Sequence, residues 1–278
     1  MPIIGTTAGQ ISGHLTISVD YLVVAGGGAE GAVTGGGWPG GGGGAGGYRN
    51  FTSQTVNPLT NYSLIVGAGG AGAGGSSAGG VGANSTFKTS SATGGGGGGC
   101  SRVNQGAGNY RAGTAGGSGG GGPSGFATNE MVGGTGNAGN YSPVEGYAGQ
   151  SGVYSGGVSY GESGGGGAGG TPAVNTAGNV QCVGGAGVAN SITGSSITYS
   201  KGGGTDTTTT ANSGNGGKVA GGSDRNGTNG DSGVVILKYS DSKTATFSGG
   251  VTQTTTSSGG FKISKVTAAG VSDTVSWA

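Results

Sequence analysis

Charge, histidine, cysteine and proline are all scarce in this 278-residue chain, and each scarcity closes a class of function. Only 8% of residues are charged and the formal net charge is +1. No cluster of lysine and arginine is present to neutralise phosphates, so nucleic acid is not an expected partner. A single histidine, His14, and two cysteines, Cys100 and Cys182, cannot build a catalytic triad or a zinc site. The acidic residues are scattered: Glu30, Glu130, Glu145 and Glu162 fall in separate loops, and no acid–base pair stands out. The chain is therefore not expected to be an enzyme or to hold a cofactor or metal. No apolar run reaches the roughly 18–20 residues of a membrane span, so insertion is not expected either. The opening residues lack the basic start and apolar stretch of a secretion signal. Cys100 and Cys182 leave two readings open, a disulfide or two small free thiols.

What fills the chain instead is glycine, 79 residues of it, gathered into runs at Gly40–Gly44, Gly94–Gly99, Gly119–Gly122 and Gly164–Gly167. Each glycine costs about 0.5–1 kcal/mol more than alanine to order in regular structure. The runs must then either stay unordered or build something that only glycine permits. Collagen is excluded, because it needs a strict Gly-X-Y period and abundant proline, and this chain has six prolines and contiguous glycines. Essentially no α-helix is expected, since Gly, Ser, Thr and Asn dominate and no window carries a 3.6-residue apolar period. At this glycine content, matches to G-x-G-x-x-G carry no information outside a strand-to-helix context.

Strand signals punctuate the glycine. In His14–Val24, apolar Leu15, Ile17, Val19 and Tyr21 alternate with Thr16, Ser18 and Asp20, and Leu22–Val24 read as buried on both faces. Tyr62–Val66 reads as a second strand, Thr86–Thr89 as a third and Gly233–Tyr239 as the last of the main body. Ser191–Tyr199 reads as a hairpin around Gly194-Ser195, with Ile192 opposite Ile197. Asp224–Asp231 reads as a turn cluster. The most hydrophobic strands thus bracket the body, and Tyr21–Val24 and Val234–Tyr239 are expected in one sheet or in facing sheets.

The glycine between them fits a bundle of extended polyproline-II-like segments. Such a backbone has three residues per turn and no internal hydrogen bonds, so its N–H and C=O groups point outward. Segments packed side by side satisfy one another's groups, as buried backbone requires, and leave no room for a Cβ. The expected fold is therefore all-β and irregular: a β-sandwich with inserted glycine-rich segments forming a polyglycine-II helix bundle. Composition shifts near residue 240, where the glycine runs stop. This divides the chain into an N-terminal arm (1–13), a glycine-rich domain (14–240) and a small C-terminal β-module (241–278).

The series YLVVAGGG (Tyr21–Gly28), GGGGGAGGYR (Gly40–Arg49), YSLIVGAGGAG (Tyr62–Gly72), SITGSSITY (Ser191–Tyr199) and SGVVILKY (Ser232–Tyr239) resembles the glycine-rich virion proteins of tailed bacteriophages, most closely those of marine cyanophages. The ending VTAAGVSDTVSWA resembles the closing β-segment of such fibre proteins. The resemblance implies a tail fibre or fibre-tip adhesin, assembled in the host cytoplasm and acting extracellularly on the virion. It implies other virion proteins as partners, with a host surface polysaccharide or outer-membrane protein as receptor. It also implies a homo-oligomer, for which a trimer is one arrangement. The alternative is a purely structural virion protein, such as a fibre segment, collar or capsid decoration. A more distant one, from threonine runs Thr207–Thr210 and Thr252–Thr256, is an ice-binding or surface-coating protein.

Receptor contact is expected from aromatics that recur in a Gly/Ser/Asn background: Tyr110, Phe126, Tyr141, Tyr147, Tyr154 and Tyr160. Rigid aromatic anchors among adaptable polar neighbours are a paratope-like composition. The competing reading is that these rings cap the glycine bundle against water. Trp38, followed by Pro39, favours capping.

Overall fold

The computed structural model describes residues 16–34, 40–75, 77–102, 111–124, 131–155, 158–160, 163–173, 182–220 and 225–278. These contain strands and no helix. In chain order the strands are β1 (Ile17–Val24), β2 (Val33–Thr34), β3 (Tyr48–Val56), β4 (Tyr62–Ile65), β5 (Ser85–Phe87), β6 (Ser90–Ala92), β7 (Ser101–Arg102), β8 (Val153–Ser155), β9 (Val158–Tyr160), β10 (Val188–Asn190), β11 (Ile197–Tyr199), β12 (Val234–Ser240), β13 (Ala245–Phe247), β14 (Thr252–Ser258), β15 (Phe261–Ala268) and β16 (Thr274–Trp277). Two five-stranded sheets, β14-β15-β12-β1-β3 and β13-β16-β4-β5-β6, form the sandwich.

The two bracketing strands lie in one sheet as direct antiparallel neighbours, with Val23 opposite Val235 and Tyr21 opposite Leu237. Alternation then sends their side chains to two cores. Val19, Tyr21, Val23, Val235, Leu237 and Tyr239 meet Leu64, Phe87, Val275 and Trp277 of the second sheet. Leu22, Val24, Val234 and Ile236 face the other way, onto Tyr199 and Ile263. Aromatic edges lock the inter-sheet core: the Phe87 ring lies 4.8 Å from Tyr21 and 6.0 Å from Trp277, each edge-on. The C-terminal strands contribute to both sheets, since β15 pairs with β12 and β16 with β4.

Two of the strand expectations are corrected in detail. The 188–199 hairpin exists, but Asn190, not Ile192, stands opposite Ile197. The Asn190 side chain accepts the Ile192 N–H at 2.7 Å and Gly194 N–H bonds the Ser191 carbonyl at 2.9 Å, so the loop is longer and frees Ile192 to pack on the Leu22–Val24 core. The strand expected at Thr86–Thr89 is instead the tight pair β5–β6, reversed at Lys88, whose φ is +58°.

Between the sheets' ends run the glycine segments, and their hydrogen bonds repeat every third residue. Along residues 25–33, the N–H groups of Ala25, Gly28 and Gly31 donate to Gly47, Gly44 and Gly41. Those of Gly26, Ala29 and Ala32 donate to Ala83, Gly80 and Ser77, and those of Gly27, Glu30 and Val33 to Asp231, Thr228 and Arg225. One segment thus bonds three neighbours in rotation, as a backbone with three residues per turn must. Residues 41–47 repeat the pattern: Gly41, Gly44 and Gly47 donate to Gly99, Gly96 and Thr93, Gly42 and Ala45 to Ser163 and Gly166, and Gly43 and Gly46 to Gly217 and Gly214. This is a polyglycine-II bundle. Arg225–Asp231, expected as part of a turn cluster, is one of its segments.

Candidate functional site

The hydrogen-bond ladder gives the bundle two ends. Ala25, Gly47 and Thr93 mark the end that enters the sandwich, and Gly31, Gly41 and Gly99 lie toward the other. This polarity separates the aromatic residues that the sequence groups together.

Tyr141 and Tyr147 lie at the sandwich end. Their loop is tied down by Asn137, whose φ of +53° turns the chain and whose side chain accepts the Tyr141 and Glu145 N–H groups at 3.1 and 3.3 Å. Glu145 is fully buried, accepting Thr93 N–H at 2.9 Å, while its own carbonyl accepts Tyr48 N–H at 3.0 Å. The loop therefore seats on the start of β3. There the Arg49 guanidinium lies 3.9 Å from the Tyr141 ring centroid and 5.0 Å from that of Phe51, and donates to the Ser91 carbonyl at 2.9 Å. Beside this stack opens a cavity of about 350 Å³ bounded by Tyr48, Asn50, Phe51, Pro143, Val144 and Val188. Tyr147 is 40% exposed, and its backbone continues into the bundle through Gly119 and Gly167.

Tyr154 and Tyr160 belong to the opposite end. They sit on the β8–β9 hairpin, with Tyr154 paired to Ser159 and Tyr160 to Val153. The hairpin follows Gly152, which bonds Met131, and precedes Ser163, which accepts from Gly42. Tyr110, Phe126, Trp38, His14, Glu130 and Glu162 lie outside the described residues.

The buried acids act as anchors. Glu30, fully buried, pairs with Arg225 and accepts the N–H groups of Thr228 and Ala220 at 3.0 and 3.3 Å. Burial pushes its carboxyl above the ordinary range, against the pull of Arg225 and the two N–H donors. An isolated glutamate inside a glycine tract was the available signal, since its carboxylate can accept backbone N–H groups of neighbouring segments. Arg49 carried no comparable signal. Burial also raises Tyr48 and Tyr199, which adjoin each other under the β10–β11 hairpin. Among the described residues, no group of three His, Cys, Asp or Glu comes together, and Cys100 and Cys182 are buried and not bonded to each other. The threonine runs split: Thr207 is buried and bonds Gly202 and Gly204, whereas Thr252–Thr256 lies on exposed β14.

A family model described as a glycine-rich domain matches residues 6–240. No curated protein and no solved structure matches the chain.

Proposed function

This chain belongs to the glycine-rich domain family, and from that premise we propose that it is a virion appendage protein of a tailed bacteriophage, a tail fibre or fibre-tip adhesin that meets the host surface through loops at the far end of its glycine bundle. The observation that carries the reading is the three-way hydrogen-bonded bundle, a rigid stalk that displays the β8–β9 hairpin away from the sandwich. Recognition commonly resides on loops positioned by a rigid scaffold. The Tyr-bearing composition of the hairpin and the likeness of the chain to phage glycine-rich virion proteins support it further.

Binding of the purified chain to host cells measures this directly. Tyr154→Ala with Tyr160→Ala is expected to reduce binding by about tenfold or more, as loss of two interface tyrosines does, while the melting temperature stays unchanged. Undiminished binding by that variant sinks the role of the hairpin. A second reading, a structural virion protein, is favoured by β14. This seven-residue edge strand carries neither charge nor proline and is mostly exposed, so it lacks the features that discourage pairing with another chain.

A further inference from the structure

β3 is an edge strand, paired with β1 on one side only. Four consecutive residues of it, Tyr48, Arg49, Asn50 and Phe51, bound the cavity of about 350 Å³ beside Pro143 and Val144. Side chains alternate between faces along a strand. One cavity therefore reaches all four residues only by lying along the open edge of the strand.

The backbone on that edge is ready to pair. Tyr48 stands opposite Val24, yet its N–H turns away from β1 and donates to the Glu145 carbonyl at 3.0 Å. Antiparallel neighbours alternate between pairs that exchange both backbone bonds and pairs that exchange none. Asn50, two residues on and opposite Leu22, must then also turn its N–H and C=O outward, as Tyr48 does its C=O. Among the described residues none of these three groups has a partner. The Glu145 carbonyl thus begins the hydrogen bonding of a neighbouring strand, and the chain leaves the edge at Val144 and Pro143. The cavity is the space in which that neighbour would continue. At the far side the bulge at Ser53, with φ +52°, closes the open stretch. An edge this short discourages indiscriminate pairing.

The side chains along the cavity give it a preference. Arg49 is the one charged residue among those that bound it. Its guanidinium is fixed against the Tyr141 and Phe51 rings, and its one side-chain hydrogen bond among the described residues goes to Ser91. The rest of its planar fork suits a carboxylate. Glu145 does not compete, because its carboxylate is buried on the Thr93 and Gly139 N–H groups. On the other face of β3, Tyr48 is held by Asn190 at 2.7 Å and stands beside apolar Val188. We propose that this edge accepts an extended peptide segment of another protein as an added strand, with an acidic residue opposite Arg49 and an apolar residue on either side of it. Backbone bonds supply affinity in such strand addition, and the alternate side chains supply specificity. The inference does not rest on the appendage reading, since β3 belongs to the sandwich and the β8–β9 hairpin lies at the opposite end.

Titration of the full chain with the synthetic peptide Ser-Thr-Val-Glu-Val-Thr-Ser, followed by residue-resolved amide NMR, tests it. A saturable shift of the Asn50 amide and slower exchange of its N–H are expected. The same peptide N-methylated at its three central residues keeps the side chains but loses the strand bonds, and should not bind. Lysine in place of its glutamate, or Arg49→Gln in the protein, should weaken binding about tenfold. Asn50→Pro should abolish it with an unchanged melting temperature, because an edge strand tolerates proline where the N–H faces outward. Tyr154→Ala with Tyr160→Ala should leave it unchanged. Absence of saturable binding, or equal binding by the N-methylated or the lysine peptide, overturns the proposal. A concentration-dependent dimer that Asn50→Pro removes overturns it as well, by making a second copy of the chain the occupant. Loss with the hairpin variant alone also overturns it, and leaves the appendage reading standing.

Discussion

Gly43→Ala should destabilise the protein by on the order of 3–5 kcal/mol, more than the typical surface substitution by far. A Cβ built at Gly43 would stand 2.0 Å from the Gly28 carbonyl oxygen and 2.7 Å from the Gly217 nitrogen, all of it backbone. Backbone cannot rotate aside as a side chain does. Neighbouring segments would have to separate, stretching the Gly43–Gly217 bond at 3.2 Å and the Gly203–Gly43 bond at 2.8 Å. Each buried group left unpaired costs about 1–3 kcal/mol. The matched control is Gly170→Ala, where nothing lies within 4 Å of a built Cβ and the backbone is not left-handed. That substitution should be neutral or stabilising by about 0.4–1 kcal/mol, because alanine restricts the unfolded chain. Urea denaturation of the pair measures the difference, and equal effects would contradict close packing at Gly43.

Glu30→Ala is expected to be comparably severe, on the order of 3–5 kcal/mol. The Arg225 side chain, only 15% exposed beside a wholly buried Glu30, would lose the carboxylate it pairs with. The Thr228 and Ala220 N–H groups would lose their acceptor as well. Replacing both members, Glu30→Met with Arg225→Met, should recover much of the loss, since well-packed apolar side chains often substitute for a buried ion pair without net cost. A thermal melt of the single and double variants checks this; a double variant no better than the single would show that the pair acts through its N–H contacts and not its charge.

Both effects arise where the sequence was legible only in part. β1 and β12 could be read directly, because Leu22–Val24 and Val234–Leu237 are unbroken apolar runs that only a strand buried on both faces accommodates. The polyglycine-II reading was accessible by elimination and by the need to pair buried backbone groups. The register was not: a residue without a side chain carries no pattern to say which of three neighbours its N–H will meet. β3 escaped notice because it is a polar strand in which only Val56 is buried, bulged where Ser53 takes a φ of +52° and turns its N–H to Asp20. The Tyr residues looked like one cluster because they are close in sequence. The chain runs the length of the bundle between them, through residues 147–152, leaving Tyr141 against Arg49 at the sandwich and Tyr154 on a hairpin at the opposite end. Arg49 itself could not be singled out, since its partners Tyr141 and Ser91 come from distant parts of the chain.

The central claim is that the glycine tracts are ordered, mutually bonded segments. Residue-resolved amide hydrogen exchange tests it most directly. Gly28, Gly43, Gly96 and Gly121 each donate to a neighbouring segment at 2.8–3.2 Å, so their N–H groups should exchange as slowly as those of β1 and β12. Exchange at the rate of an unstructured chain at these four glycines, with β1 and β12 still protected, would contradict the bundle.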